Sequence, residues 1–120
     1  MIVVIIQLDV LAQKRNEFLQ TISGMIAPTR SEKGCLGHHF SQDVEDENRF
    51  FIIQCWQDQA DLDRHWCSDR FGVFLGSFHL LKKTPDIKIH AVTFTAGMET
   101  VKAAREKMKT AFRRGFLVVQ

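Results

Sequence analysis

Between Arg49 and Trp56 the chain reads RFFIIQCW, and this octapeptide limits the possible folds more than any other stretch. Successive side chains of a strand point to opposite faces. Phe50, Ile52 and Trp56 therefore share one face while Phe51, Ile53 and Cys55 share the other. Both faces are apolar. Helices packed on one side of such a sheet leave the second apolar face in need of a cover of its own. A second copy of the same sheet is the most economical cover, so the chain is expected to form a homodimer through its sheet faces.

The flanking sequence supplies the other elements. Met1 to Leu11 is almost continuously apolar and rich in β-branched residues, as in a strand covered on both faces. It is too short to span a bilayer, and no basic residue precedes it. Gln13 to Ala27 places Phe18, Ile22, Met25 and Ile26 on one helical stripe. Pro28 is expected to kink or end that helix, with Gly34 as its exit. A second strand, Cys35 to Val44, precedes the acidic turn EDEN and the strand Arg49 to Trp56. Asp58 and Asp61 suit the cap and first turn of a short helix with Leu62, His65 and Trp66 on one side. Asp69 is expected to cap the next helix, whose stripe is Phe71, Phe74, Leu75, Phe78 and Leu81. After Pro85, Asp86 to Thr95 reads as a fourth strand, followed by a basic helix from Met98 to Phe112 and the tail FLVV.

This order, βα, ββ, αα, β, predicts an α+β, ferredoxin-like four-stranded antiparallel sheet with its helices on one face. Residues 1–95 would form that domain. Residues 96–120 would add a basic C-terminal helix and an apolar tail packed on the domain or on a dimer partner.

Charge separates these two parts. The whole chain of 120 residues carries a formal +2, but six Lys/Arg against two acidic residues lie between Gly97 and Gln120. The cations of this segment are dispersed and lack an aromatic stacking platform, so neither nucleic acid nor membrane is expected as a partner. Three cysteines without a CxxC pair argue against a disulfide framework and for a cytoplasmic location. No flavin, dinucleotide or metal motif is present in the sequence, and no cofactor or metal is expected. Ten Phe and no Tyr leave hydrogen bonding inside any pocket to His, Gln, Cys and Trp.

The segment RSEKGCLGHHF, Arg30 to Phe40, gathers candidate reactive groups. His38 and His39 are neighbours on a strand, point to opposite faces and cannot hold one metal together. In a regular strand Cys35 and His38 also diverge, which removes a Cys–His dyad and leaves Cys35 as a small buried hydrophobe. A four-residue EDEN loop would pair His38 with Cys55 across the hairpin, a partner that a one-residue slip would change. His38 is then either a hydrogen-bonded, partly buried polar residue or a pocket residue that binds or deprotonates a substrate. His65, on the Leu62 side of its helix, points inward. It is either a general base or a histidine satisfied by a backbone carbonyl. Arg30 and Glu32 are expected to pair with each other, with a neighbour or across the dimer, unless Arg30 orients an anionic substrate. Trp56, Phe74 and Phe78 either line a cavity between sheet and helices or belong to its core, and Trp66 offers an indole N–H.

These elements resemble the antibiotic biosynthesis monooxygenase family of dimeric α+β barrels. The likeness runs from Met1 to about Thr95. It is carried by TRSEKGCLGH (Thr29 to His38), by the aromatic strand ending in QCW, and by WQDQADLDRHWCSDRF (Trp56 to Phe71). The resemblance implies a homodimer and a small aromatic ligand, with His65 at a common pocket-lining position. The haem-degrading branch fits least: the first strand has no Asn, and its ligating His would fall near Leu75, four positions from His79. The expected activity is a cofactor-independent monooxygenation of an electron-rich aromatic, quinol- or anthrone-like, with His65 and His38 in the chemistry and Trp56, Trp66, Phe74, Phe78 and Arg30 around the substrate. The alternative is a non-catalytic module of the same fold that binds a small aromatic molecule.

Overall fold

A computed structural model of the chain describes residues 1–115. Four strands form one antiparallel sheet in the order β2-β3-β1-β4: β1 (Ile2–Asp9), β2 (Cys35–Gln42), β3 (Arg49–Trp56) and β4 (Asp86–Ala91). Helices α1 (Arg15–Arg30), α2 (Gln59–Trp66) and α3 (Asp69–Gly76) accompany it, and α4 (Met98–Arg113) follows. This is the ferredoxin-like arrangement that the element order predicts.

The two-residue period of the strands decides the layering. Val4, Ile6 and Leu8 of β1 and Phe50, Ile52 and Trp56 of β3 are buried beneath Phe18 and Ile22 of α1, Leu62 of α2 and Phe74 of α3. Removing such side chains from water is the main source of stability. The opposite face carries Val3, Ile5, Phe51, Ile53 and Cys55, all partly or fully exposed. The two-sided apolar character of β3 is therefore real, and within one chain only one side is covered.

Several local expectations need correction. The β2–β3 loop holds five residues, because Asp43 pairs with Arg49 and the side chains of Asp43 and Asp46 accept backbone N–H bonds from Glu45 and Asn48 (both 2.9 Å). These Asx turns shift the register by one, so His38 faces Gln54 and not Cys55. A bulge between Cys35 and Gly37 then resets the alternation. It turns Leu36 outward and places Cys35, opposite Trp56, on the same face as His38.

Helix α1 runs through Pro28 to Arg30 before it stops. Ser68, not Asp69, caps α3 by accepting the Phe71 N–H, and Leu75 is exposed. β4 ends at Ala91 and is exposed along its whole length. α4 has no buried residue, and Met98, Val101, Met108 and Phe112 stay in solvent. The extra helix thus does not pack on its own domain, and the FLVV tail lies outside the described residues. Among the described residues no helix is long and apolar enough to cross a membrane.

Candidate functional site

The side chains of His38, Gln54, His65, Ile52, Phe71 and Phe74 meet in a cavity between the sheet and the helices. Its centre leaves about 20 Å³ for a water's centre to occupy, enough for a water but not for an aromatic ring. A ring could enter only if Phe71 and Phe74 moved aside. Both sit on α3, a helix of eight residues with Gly72 and Gly76 exposed along it.

His38 reaches the cavity from β2. It is 5 % exposed, and its Nδ1 lies 3.1 Å from Gln54 Nε2. Gln54 in turn accepts the Trp56 indole N–H at 3.1 Å. Burial, aided by the positive charge of Arg30 and by the neighbouring His65 and His39, lowers the His38 pKa to about 4. At neutral pH the ring is therefore uncharged and a poor base.

His65 arrives from the other side on α2. The Asp58 side chain accepts the Asp61 N–H (2.9 Å) and starts that helix about two turns before the histidine. Asp61 sits directly against Gly34, whose φ of +81° ends the chain's exit from α1. A Cβ at Gly34 would collide with the Asp61 carboxylate, so only glycine permits both the backbone conformation and the close approach. That approach brings Glu32 to His65, with Oε2 at 2.8 Å from Nδ1. Arg70 holds the same Oε2 at 3.2 Å. The His65 ring packs on Trp56 (centroids 4.7 Å apart) and against the Phe71 ring (5.3 Å).

The carboxylate accepts, so a neutral His65 carries its proton on Nδ1 and leaves Nε2 as the basic nitrogen. A carboxylate that fixes the tautomer and orientation of an imidazole is the arrangement a general base requires.

Among the other predicted residues, Phe74 lines the cavity. Trp56 lies behind it, packed on the His65 ring and joined to His38 only through Gln54. Phe78 packs edge-on against Phe74 (5.1 Å, 86°) in a second layer, and Trp66 packs on the core outside the cavity. Arg30 points away from the cavity: its Nε donates to the His38 carbonyl at 3.0 Å and pins β2 to the end of α1. It pairs with neither Glu32 nor the cavity, and faces an open groove beside Cys35, Gly37 and His39.

Cys35 and His38 do share a face, contrary to the regular-strand expectation. The Cys35 thiol is nevertheless turned to the Gly37 carbonyl (3.6 Å), and burial raises its pKa, which suits a structural role and not a nucleophile. Among the described residues no three His, Cys, Asp or Glu side chains gather as metal ligands.

Two members of the site escape sequence reasoning. Gln54 is a polar residue in the inward set of β3, between Ile52 and Trp56, and that break in an apolar row was its signal. Glu32 carries no such mark, since its partner is 33 residues away.

The model of the antibiotic biosynthesis monooxygenase family matches residues 1–76. The chain belongs to this family. An uncharacterised protein of Synechocystis sp. is 35% identical over 95 residues, which cover 78% of this chain and 65% of that protein. The chain thus spans slightly less than two thirds of that relative. YcnE of Bacillus subtilis, provisionally named a monooxygenase, is 28% identical over 71% of this chain and 90% of its own. A conserved protein from Methanosarcina mazei Go1 superposes with a TM-score of 0.71 at 29% identity, covering 74% of this chain and 89% of that one. The matched residues hold β1, β2, β3, α1, α2 and α3. The matched segment ends at the last residue of α3, so β4 and α4 stand outside it.

Proposed function

We propose that this family member is a cofactor-independent monooxygenase acting on an electron-rich aromatic of quinol or anthrone type. One observation carries the reading: a histidine held by a carboxylate, His65 on Glu32 at 2.8 Å, stands at the wall of a cavity lined mainly by apolar side chains. His65 Nε2 removes the substrate's acidic proton. The carbanion or phenolate gives an electron to O₂, the radical pair combines to a hydroperoxide, and loss of water leaves a carbonyl. For a ring CH₂ the balance is CH₂ plus O₂ to C=O plus H₂O, so the substrate supplies the electrons and no cofactor is needed. The apolar walls keep water from the anion. His38, neutral and engaged at Nδ1, serves as a hydrogen-bond donor and not as a second base, while Phe71 and Phe74 pack on the ring.

The same reading includes a homodimer. The uncovered sheet face with Ile5, Phe51 and Ile53 would meet its copy, and the uncovered stripe of α4 in residues 96–120 would pack on the partner. A basic α4 against a body of opposite net charge favours that contact. Nothing in this chemistry conflicts with a cytoplasmic setting. The second reading, a binding module of the same fold, uses the same cavity and does not need His65 as a base.

Substrate-dependent oxygen uptake by metal-free, flavin-free protein decides between them. Sedimentation of the full chain tests the sheet pairing, for which a monomer at micromolar concentration is the contrary result.

A further inference from the structure

Trp56 links the two histidines, packing its ring on His65 and donating its indole N–H to Gln54, the partner of His38. An indole N–H can only donate, so Gln54 turns its carbonyl toward Trp56 and its NH₂ toward His38 Nδ1. Nδ1 therefore accepts, and the neutral His38 ring keeps its proton on Nε2. His65 is set the other way round. The Glu32 carboxylate, also paired with Arg70, takes the Nδ1–H and leaves Nε2 as an acceptor. Neither Nε2 has a protein partner among the described residues, yet no buried side-chain nitrogen or oxygen there is unsatisfied. Both nitrogens therefore open onto the free space that the two rings line.

We infer that the cavity is polarised, with His38 Nε2–H as a fixed donor and His65 Nε2 as a fixed acceptor, and that it takes an aromatic ligand carrying one hydroxyl together with a second oxygen that only accepts. Gln54 and Trp56 are positioning residues: they touch no ligand but decide which His38 nitrogen holds the proton. The ligand class rests on the cavity being the binding site proposed above, whereas the polarity does not depend on turnover. In the proposed reaction the two ends are complementary. As His65 withdraws a proton, electron density moves through the ring to the accepting oxygen, where a donor already in place stabilises it without transferring a proton. The low basicity of His38 keeps that donor neutral across the neutral pH range.

Nitrogen-15-labelled histidine in the full, ligand-free chain tests the polarity directly. Proton–nitrogen correlation spectra at mildly alkaline pH are expected to show His38 protonated at Nε2 and His65 at Nδ1. His38 protonated at Nδ1 overturns the assignment. Gln54→Glu gives a carboxylate that accepts from both Trp56 and His38 and is expected to move the His38 proton to Nδ1; an unchanged spectrum contradicts the relay. Should that variant fail to fold, Trp56→Phe keeps the ring, removes the N–H that orients Gln54, and is expected to give a mixture of His38 tautomers. For the ligand class the probes are 2-methoxyphenol and 1,2-dimethoxybenzene, which differ in the one hydroxyl that His65 would accept. The ether is expected to bind more weakly by on the order of tenfold, because it leaves that nitrogen without a partner. Equal affinity, or no binding of either, overturns the ligand class. Oxygen uptake is not read in these experiments, so a pure binding module would pass them while failing the test of turnover.

Discussion

The buried, neutral His38 makes the fold sensitive to mild acid, and the size of the effect follows from its surroundings. Its ordinary pKa of 6.5 falls to about 4 in the folded chain. The folded state therefore binds fewer protons than the unfolded state between those values. Stability is complete above pH 6.5, falls as pH drops through the window, and levels off below about 4, when both states are protonated. Each tenfold loss of proton affinity corresponds to about 1.4 kcal/mol. The full penalty is at most about 3.5 kcal/mol, and nearer 2 kcal/mol if water entering the cavity partly screens the charged ring. Against a typical total of about 5–15 kcal/mol this is a large fraction. Urea unfolding of the wild type and of His38→Asn, from about pH 8 to about pH 4.5, isolates the effect. Asn can still accept from Gln54 but does not titrate, so the difference between the two curves removes every other group. That difference should grow by about 1 kcal/mol per pH unit below pH 6.5. Parallel curves would refute the claim that His38 is buried uncharged.

Four further outcomes follow from the same contacts. Gly34→Ala forces a side chain into the Asp61 carboxylate at a positive φ, and should lower stability by about 1–3 kcal/mol in a thermal melt. Gln54→Leu leaves the Trp56 N–H and His38 Nδ1 unpaired and should cost about 1–3 kcal/mol in urea unfolding. Asp9 is nearly buried and binds Arg49 (2.9 Å) and Lys83 (3.4 Å). Burial alone would raise its pKa, but the two cations outweigh it and the net shift is downward. Asp9→Asn should therefore destabilise the fold above pH 4, and the difference from wild type should shrink in stronger acid. Glu32→Gln keeps the volume but loses the carboxylate that orients His65; turnover of an accepted substrate should fall by about 10–100-fold with KM little changed.

The architecture was legible because it rests on periodicity. Alternation in Arg49–Trp56 and the 3.6-residue stripe through Phe18 and Ile22 fix which faces are apolar, and burial follows them closely. Asp58 as a helix cap and Gly34 as a helix exit were equally clear, since each satisfies a local backbone requirement. The register of β2 was not. It depends on Asx turns at Asp43 and Asp46 that lengthen a loop by one residue, and on a bulge at Leu36 that a regular alternation cannot express.

The site was half legible. His65 and His38 stood out as inward titratable groups. The partners that define their roles, Glu32 and Gln54, reach them across 33 and 16 residues of sequence. Helical or strand spacing says nothing about such contacts. Arg30 was legible as a residue near the site but not as a clamp on the His38 carbonyl, because backbone acceptors leave no trace in the sequence.

The most direct measurement is oxygen consumption with a panel of quinols and anthrones, using metal-free, flavin-free protein beside His65→Gln. General-base catalysis is worth about 10²–10⁴-fold. The predicted result is uptake that requires a substrate and falls by that factor in the variant, while the variant's melting temperature stays near that of the wild type. Uptake that survives intact in His65→Gln, or no uptake with any member of the panel, would contradict the assignment of His65 as the base of an oxygenase.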